Sequence, residues 1–335
     1  MPGTIRLDEE NLPDYLRRLG LVGRSDRVAV EPAGDGNINW VRRARSGTHA
    51  WVVKQARPAL ERFPEYQVTT DRILFEARWL ETVRPLDAEG VCPGVVRFDP
   101  DARVLVLEDL GDAPRLDRVL AQRPDAGCEP ARRLARFLGA VHAATGDPSL
   151  AARFENGAMR RLHGDHIFAL PFRPNEFPLP TALRARAEAL WGDAELVAIA
   201  EAAYRRYLEP CGALVHGDVQ AGNVLLGPAG AVLLDAEIAH IGDPAFDLGT
   251  LLAHLWLPAV ARGRPAAAAP AAEAAWDAYT AASGAPPPRR AEAERYAALE
   301  MLRRTLGAAR VEVAFAPEAG LAIVDFATRR LREAV

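Results

Sequence analysis

The segment Leu214–Leu226, LVHGDVQAGNVLL, places an aspartate and an asparagine five residues apart, Asp218 and Asn223, in a loop between two apolar runs. Asp, Asn and Gly are turn formers, so the pair are either turn residues or the working groups of a catalytic loop. The second run continues into VLLGPAGAVLLDAEIAHIGD, where Gly-Pro-Ala-Gly joins two short apolar stretches in a hairpin pattern. The loop is therefore expected beside a small sheet. Around it the pattern is helical: EPARRLARFLGAVHAATG sets Leu134, Phe137, Leu138 and Val141 on one face before Gly146. Residues 262–290, rich in Ala and Pro, predict a loop, a helix and a Pro-rich connection.

Toward the N-terminus the pattern changes. Residues 10–20 predict a short amphipathic helix, and residues 28–56 alternate apolar and polar positions around two glycine-containing turns, a strand meander. TDRILFEARWLETV then places Ile73, Leu74, Ala77 and Leu80 at helical spacing, with Thr70 or Asp71 as cap. VVRFDPDARVLVLEDLGD predicts a strand, an Asp-Pro-Asp turn and a second strand. The expected architecture is α+β and bilobal: a β-rich N-terminal lobe over 1–110 and a larger α-rich lobe over 111–335, with the boundary near Glu108–Asp112.

With 335 residues, 49% hydrophobic and 26% charged, the chain is long enough for two separate cores. A formal net charge of −4 offers no basic field for nucleic acid or an anionic membrane, which leaves a small molecule as the expected partner. Cys92, Cys128 and Cys211 are odd in number and lack metal or redox spacing, which suits a reducing cytoplasm. The first twenty residues are acidic where a signal peptide has an apolar core, and no run of 18 apolar residues occurs, so a soluble, cytoplasmic protein is expected. Nothing in the chain sets the oligomeric state, and a homodimer stays open.

The chemistry-bearing residues come in a fixed order. Gly34-Asp35-Gly36-Asn37-Ile38-Asn39 is either a hairpin turn or a backbone cradle for phosphates, in which Gly34, Gly36, Asn37 and Asn39 are the candidates; it lacks the third glycine of G-x-G-x-x-G. Lys54 closes the apolar stretch AWVVK as a strand lysine that pairs with phosphates does, and Glu76 on the following helix is its candidate partner. A solvated lysine and a helix-surface glutamate are the plain alternatives. Asp218 and Asn223 reproduce the interval D-x-x-x-x-N, in which the aspartate is the base and the asparagine binds Mg2+.

Asp235 and Glu237 stand two apart after a Val-Leu-Leu run, so on a strand both would face one side and hold one hard cation. Asp243 before Pro244 predicts a helix cap, and Asp247, one turn in, is either a surface residue or a group bonding back to the catalytic loop. A second His-Gly-Asp, in LHGDHIF, has Leu170 where an asparagine would be needed, which places His163 and Asp165 in a loop or on the substrate side at best. His142 is expected to be packed rather than reactive.

HGDVQAGNVL, LLDAEIAHIGDPAFDLG and the Lys54/Glu76 pair resemble the aminoglycoside phosphotransferase and choline kinase superfamily, small-molecule kinases with a protein-kinase-like fold. Within it GDGNINWVRRA, VVKQARPAL, TTDRILFEARWL and EMLRRTLGAARVE are similar to the methylthioribose kinase family. That family continues its catalytic aspartate with His-Thr-Gly-Ser, where this chain has Gln220-Ala221-Gly222-Asn223. The resemblance implies ATP and Mg2+, an adenine held at the hinge of Glu108, Asp109 and Leu110, Asp218 as base, and Asp235 with Glu237 as metal carboxylates. The implied acceptor is a small-molecule hydroxyl, that of 5-methylthioribose or a related sugar, with an aminoglycoside or amino alcohol as the alternative and a nucleotide-binding pseudokinase as a further one. It also implies an acceptor role for the paired Arg303 and Arg304, of which only one is expected to face the cleft because adjacent helix positions diverge by about 100°; the alternative is a basic helix C-terminus before Gly307.

Overall fold

The computed structural model describes residues 5–34, 39–59, 67–210, 212–284 and 287–334. Gly36 and Asn37 lie outside the described residues. The chain divides into two compact units, residues 1–84 with 92–112, and residues 85–91 with 113–335.

The first unit is built on an antiparallel sheet of β1 (Ala29–Pro32), β2 (Asn39–Ser46), β3 (His49–Ala56), β4 (Val95–Asp99) and β5 (Val104–Glu108), in the order β1-β2-β3-β5-β4. It carries α1 (Leu12–Arg18) and α2 (Arg72–Val83). Side chains alternate across a strand, so Trp51 and Val53 on β3 join Leu7, Leu12, Tyr15, Leu16, Val104 and Val106 in one buried cluster. Gln55 points the same way and bonds the backbone of Ile5 and Leu7. Lys54 takes the other face. Asp71 occupies the cap position of α2, but its carboxylate goes to Arg103 at 2.8 Å instead of to the helix N–H groups.

The second unit is helical around two short two-stranded sheets. Its helices are α3 (Leu116–Gln122), α4 (Cys128–Ala144), α5 (Gly157–Gly164), α6 (Thr181–Trp191), α7 (Ala194–Leu208), α8 (Ala245–Ala261), α9 (Ala269–Ala282), α10 (Arg290–Leu306) and α11 (Pro317–Glu333). Strand β6 (Ala213–Val215) pairs with β9 (His240–Gly242), and β7 (Val224–Gly227) forms a hairpin with β8 (Gly230–Leu233). The 216–223 loop therefore leaves one small sheet and enters the other. Helix α8 is buried from Ala245 through Val260, and its composition is apolar around the whole circumference, as a central helix requires. Among the described residues no helix is long and apolar enough to cross a membrane.

Two expectations need correction here. LHGDHIF is helical rather than a loop: α5 runs to Gly164 and continues as a π-helical turn, Asp165–Ala169. Asp235 and Glu237 are not on a strand. Strand β8 ends at Leu233, opposite Val224 at the start of β7; the Leu234 N–H still bonds the Asn223 carbonyl at 2.8 Å, and the chain then turns, with Asp235 at φ +67°, in the left-handed region. Period-2 alternation thus cannot decide which way their carboxylates point.

Gly249 tests the packing of the central helix. A Cβ there would lie 2.6 Å from the carbonyl oxygen of Ala293 and 2.6 Å from Cβ of Tyr296, both on α10. Alanine normally stabilises a helix interior by about 1 kcal/mol over glycine. Here overpacking reverses the sign, and Gly249→Ala is expected to destabilise the protein by roughly 1–3 kcal/mol in urea unfolding. A variant as stable as the parent or more so would show that α8 and α10 can separate freely.

Candidate active site

In the first unit Lys54 and Glu76 are both buried, and Lys54 Nζ donates to both carboxylate oxygens of Glu76 at 2.8 and 2.7 Å. Strand alternation turns Lys54 away from the tryptophan cluster and toward α2, where Ile73, Glu76, Ala77 and Leu80 share the buried face. Each charge thereby supplies the partner that makes the other's burial tolerable. Gly34 has φ +75°, a conformation that suits glycine in a tight turn, and Asn39, buried at the start of β2, accepts a bond from Arg72 Nη2 at 2.7 Å through its amide oxygen. Glu108 ends β5 and is exposed, while the Asp109 carboxylate accepts from Arg43 Nε at 2.9 Å and from the Gly111 N–H at 3.1 Å. Arg43, by binding Asp109, Asp112 and the Gly111 carbonyl, fixes the 109–112 segment to the sheet.

The loop of the second unit is held from behind by Asp247, which is fully buried on α8. Its Oδ2 accepts the His216 N–H at 2.7 Å and its Oδ1 the Gly217 N–H at 2.9 Å. Burial pushes the carboxyl up, but His142, His216 and the Gly217 N–H outweigh it and hold the group below the ordinary carboxylate range. His142 Nε2 lies 3.2 Å from Asp247 Oδ2, and Tyr279 Oη lies 2.8 Å from His142 Nδ1. With Asp247 ionised, Nε2 carries the proton and the tyrosine hydroxyl donates to Nδ1. His142 is thus packed, as its helix face suggests, and is also a link in a polar chain. Gly217 has φ +85°, and a Cβ would meet the Ile238 carbonyl oxygen at 2.7 Å, so glycine is required at this bend. Asp243 bonds the Ala245 N–H at 3.0 Å and also meets Arg206 and Tyr296.

The two oxygens of Asp218 have different surroundings. Oδ2 accepts from Gln220 Nε2 at 2.7 Å and from Asn223 Nδ2 at 2.9 Å, while Oδ1 is buried with no hydrogen-bond partner. The five-residue interval works because the 3₁₀ turn Ala221–Asn223 brings the asparagine amide back onto both the side chain and the carbonyl of Asp218. Gln220 is a participant that the sequence reasoning treated only as a departure from a family pattern. The Asn223 Nδ2 group faces Asp218, so its Oδ1 is left as an oxygen donor for other partners.

Around Oδ1 stand side chains from two other helices. Arg304 Nη2 is 3.6 Å away and His163 Nε2 4.0 Å away. Both Arg303 and Arg304 are buried, and Glu300, one turn earlier on α10, accepts from Arg303 Nη1 at 2.9 and 3.0 Å and from Arg304 Nε at 2.6 Å. Arg304 approaches Asp218, whereas Arg303 is bound to Glu300. Residues at i+3 and i+4 both flank position i, so two long side chains converge on one carboxylate although their Cα–Cβ bonds diverge. Burial pushes the Glu300 carboxyl up, but Arg303, Arg304 and His254 outweigh it and hold it well below its ordinary range.

A model of the phosphotransferase enzyme family matches residues 29–292. The methylthioribose kinase of Klebsiella pneumoniae subsp. pneumoniae is 30% identical over 253 residues, which cover 71% of this chain and 62% of that protein. The methylthioribose kinase of Bacillus thuringiensis subsp. konkukian is 27% identical over 275 residues, 78% of this chain and 68% of that one. The choline kinase LicA of Streptococcus pneumoniae shares the fold, with a TM-score of 0.52 at 16% identity over 97% of this chain and 99% of its own. With most of its length inside the family match, the chain belongs to the phosphotransferase enzyme family.

Proposed function

We propose that this protein is an ATP-dependent small-molecule kinase that transfers the γ-phosphoryl group to a hydroxyl of a small metabolite, with 5-methylthioribose or a related sugar as the preferred acceptor. The observation that carries it is the division of Asp218 between an anchored Oδ2 and a buried Oδ1 that accepts no hydrogen bond. A base needs a fixed position and a free acceptor atom. Oδ1 takes the acceptor's hydroxyl proton, the freed oxygen bonds to the γ-phosphorus, and the bond to the departing ADP oxygen breaks. Lys54, held by Glu76, has the charge and rigidity to bind nucleotide phosphates, and the backbone of Glu108–Leu110 is the candidate support for the adenine.

Asn223, Asp235 and Glu237 supply only oxygen donors, the set that suits Mg2+. Among the described residues no group of three or more His, Cys, Asp or Glu forms a ready-made metal site. Magnesium is held by one or two carboxylates together with substrate phosphates, the role proposed for Asp235 and Glu237. Bound there, the ion would offset phosphate charge.

The Klebsiella and Bacillus relatives named above are methylthioribose kinases, and the proposed acceptor side here agrees with an uncharged sugar. Arg303 and Arg304 oppose Glu300 and Asp218, so the cluster has no excess negative charge to attract an aminoglycoside or an amino alcohol. A kinase drawing on ATP is assigned to the cytoplasm, where that nucleotide is supplied.

A coupled ADP-release screen over 5-methylthioribose, other pentoses, choline, homoserine and aminoglycosides tests the assignment. Turnover with 5-methylthioribose is expected; turnover with choline or an aminoglycoside alone would replace the sugar, and none at all would leave a nucleotide-binding pseudokinase. Asp218→Asn is expected to lower kcat by roughly 10²- to 10⁴-fold with little change in ATP affinity. Wild-type turnover in that variant would remove Asp218 as the base. Asp247→Asn leaves a single oxygen where two backbone N–H groups and His142 now bond, and is expected to lower kcat by roughly 10-fold or more and stability by about 2–4 kcal/mol. Kinetics and urea unfolding of the same preparation check both effects; unchanged values in both would mean that the loop holds its shape without Asp247.

A further inference from the structure

His163 is buried on α5, and both of its ring nitrogens lack a hydrogen-bond partner. An unpaired buried polar ring is costly unless something else completes it. The ring stands edge-on to Phe246, with centroids 6.0 Å apart, which accounts for its carbon atoms but not its nitrogens. Its Nε2 is 4.0 Å from Asp218 Oδ1, the oxygen of that carboxylate that also lacks a hydrogen-bond partner and has Arg304 Nη2 at 3.6 Å. The gap between His163 and Asp218 is too long for a direct hydrogen bond. It is short enough for a single oxygen to sit about 2.8 Å from both atoms, an ordinary hydrogen-bond distance.

We propose that His163 is an acceptor-binding residue, its Nε2–H donating to the same substrate hydroxyl whose proton Asp218 Oδ1 accepts. The inference rests on the kinase assignment and adds to it a residue outside the D-x-x-x-x-N loop, on an element distant in the chain. The hydroxyl group supplies a hydrogen-bond partner to two atoms that lack one, which orients its remaining lone pair for transfer. Burial first, then Arg303, Arg304 and His166, against the opposing pull of Glu300, keep the imidazole well below its ordinary pKa, so it stays neutral and offers one donor and one acceptor. A neutral ring here also avoids a third positive charge beside Arg303 and Arg304.

The test compares His163→Leu, His163→Phe and His163→Gln with the parent, using 5-methylthioribose as acceptor or, if the screen finds another, the acceptor that turns over. Leucine and phenylalanine keep the contact with Phe246 and remove the donor; glutamine keeps a donor. His163→Leu and His163→Phe are expected to lower kcat/KM for the acceptor by about 10- to 100-fold, the cost of leaving a substrate hydroxyl and a buried carboxylate oxygen unmatched. Calorimetric binding of ATP should be unchanged, the thermal midpoint equal or higher because an unpaired buried ring is gone, and His163→Gln should recover part of the loss. If either apolar variant folds and keeps kcat/KM within about 3-fold of the parent, a threshold well below the effect of a lost hydrogen bond, His163 is a packing residue and the proposal fails while the kinase assignment stands. If both apolar variants fail to fold, His163→Met, which fills the space with a flexible side chain and has no donor, takes their place: a lower kcat/KM with unchanged ATP binding supports the proposal, and parental kinetics overturns it. A parent protein that turns over no acceptor overturns both.

Discussion

The 216–223 loop, proposed as the catalytic loop, is shaped by a buried carboxylate on the helix behind it, Asp247. Asp247 receives two consecutive backbone N–H groups, from His216 and Gly217, and so holds the chain at the bend that aims Asp218. A charge at the heart of an otherwise apolar helix is tolerable because every one of its oxygens is engaged, and because His142 and Tyr279 extend the network away from the loop. The bend also requires Gly217, whose positive φ and lack of Cβ let it pass the Ile238 carbonyl. Remove either condition and the five-residue spacing of Asp218 and Asn223 loses its meaning, since the 3₁₀ turn that closes it starts from this bend.

The proposed acceptor side, around Arg303, Arg304 and Glu300, follows a different rule. There the constraint is charge balance in a buried space: Glu300 binds both arginines of α10, and Arg304 then faces Asp218 at 3.6 Å. Buried ions are stable only with partners in good geometry, and Glu300 gives both arginines such a partner before any substrate arrives. The guanidinium groups are thus pre-set instead of being ordered on binding, which lowers the entropic cost of recognition. His163, Asp218 and the arginine pair together present donors and one acceptor without net negative charge, a surface suited to hydroxyl groups.

Much of this was legible in the sequence because it is local. Period-2 alternation marked the meander and placed Lys54 on the face away from Trp51 and Val53; 3.6-residue periodicity marked α2 and α4; and Gly-Pro-Ala-Gly marked the β7–β8 hairpin. The D-x-x-x-x-N interval pointed to the loop, and the position of Asp247 one turn into α8 was enough to suggest a bond back to it. These signals depend on neighbours a few residues apart, whose relative positions the backbone periods dictate. Where a local rule met the end of a strand it gave the wrong answer: β8 stops before Asp235.

What only the tertiary structure decided is which distant groups share a space. LHGDHIF lacks the asparagine of a catalytic loop, and nothing in its own pattern shows that α5 carries His163 to within 4.0 Å of Asp218. Likewise, Asn39 is joined to Arg72, and Asp109 to Arg43, by packing that no spacing encodes. Sequence by itself determined the elements, the loop and the kind of chemistry, because propensity, periodicity and motif spacing act over a turn or a strand. The surroundings of each charge were left to the fold, because burial and electrostatic partners are properties of packed helices that meet from far apart in the chain.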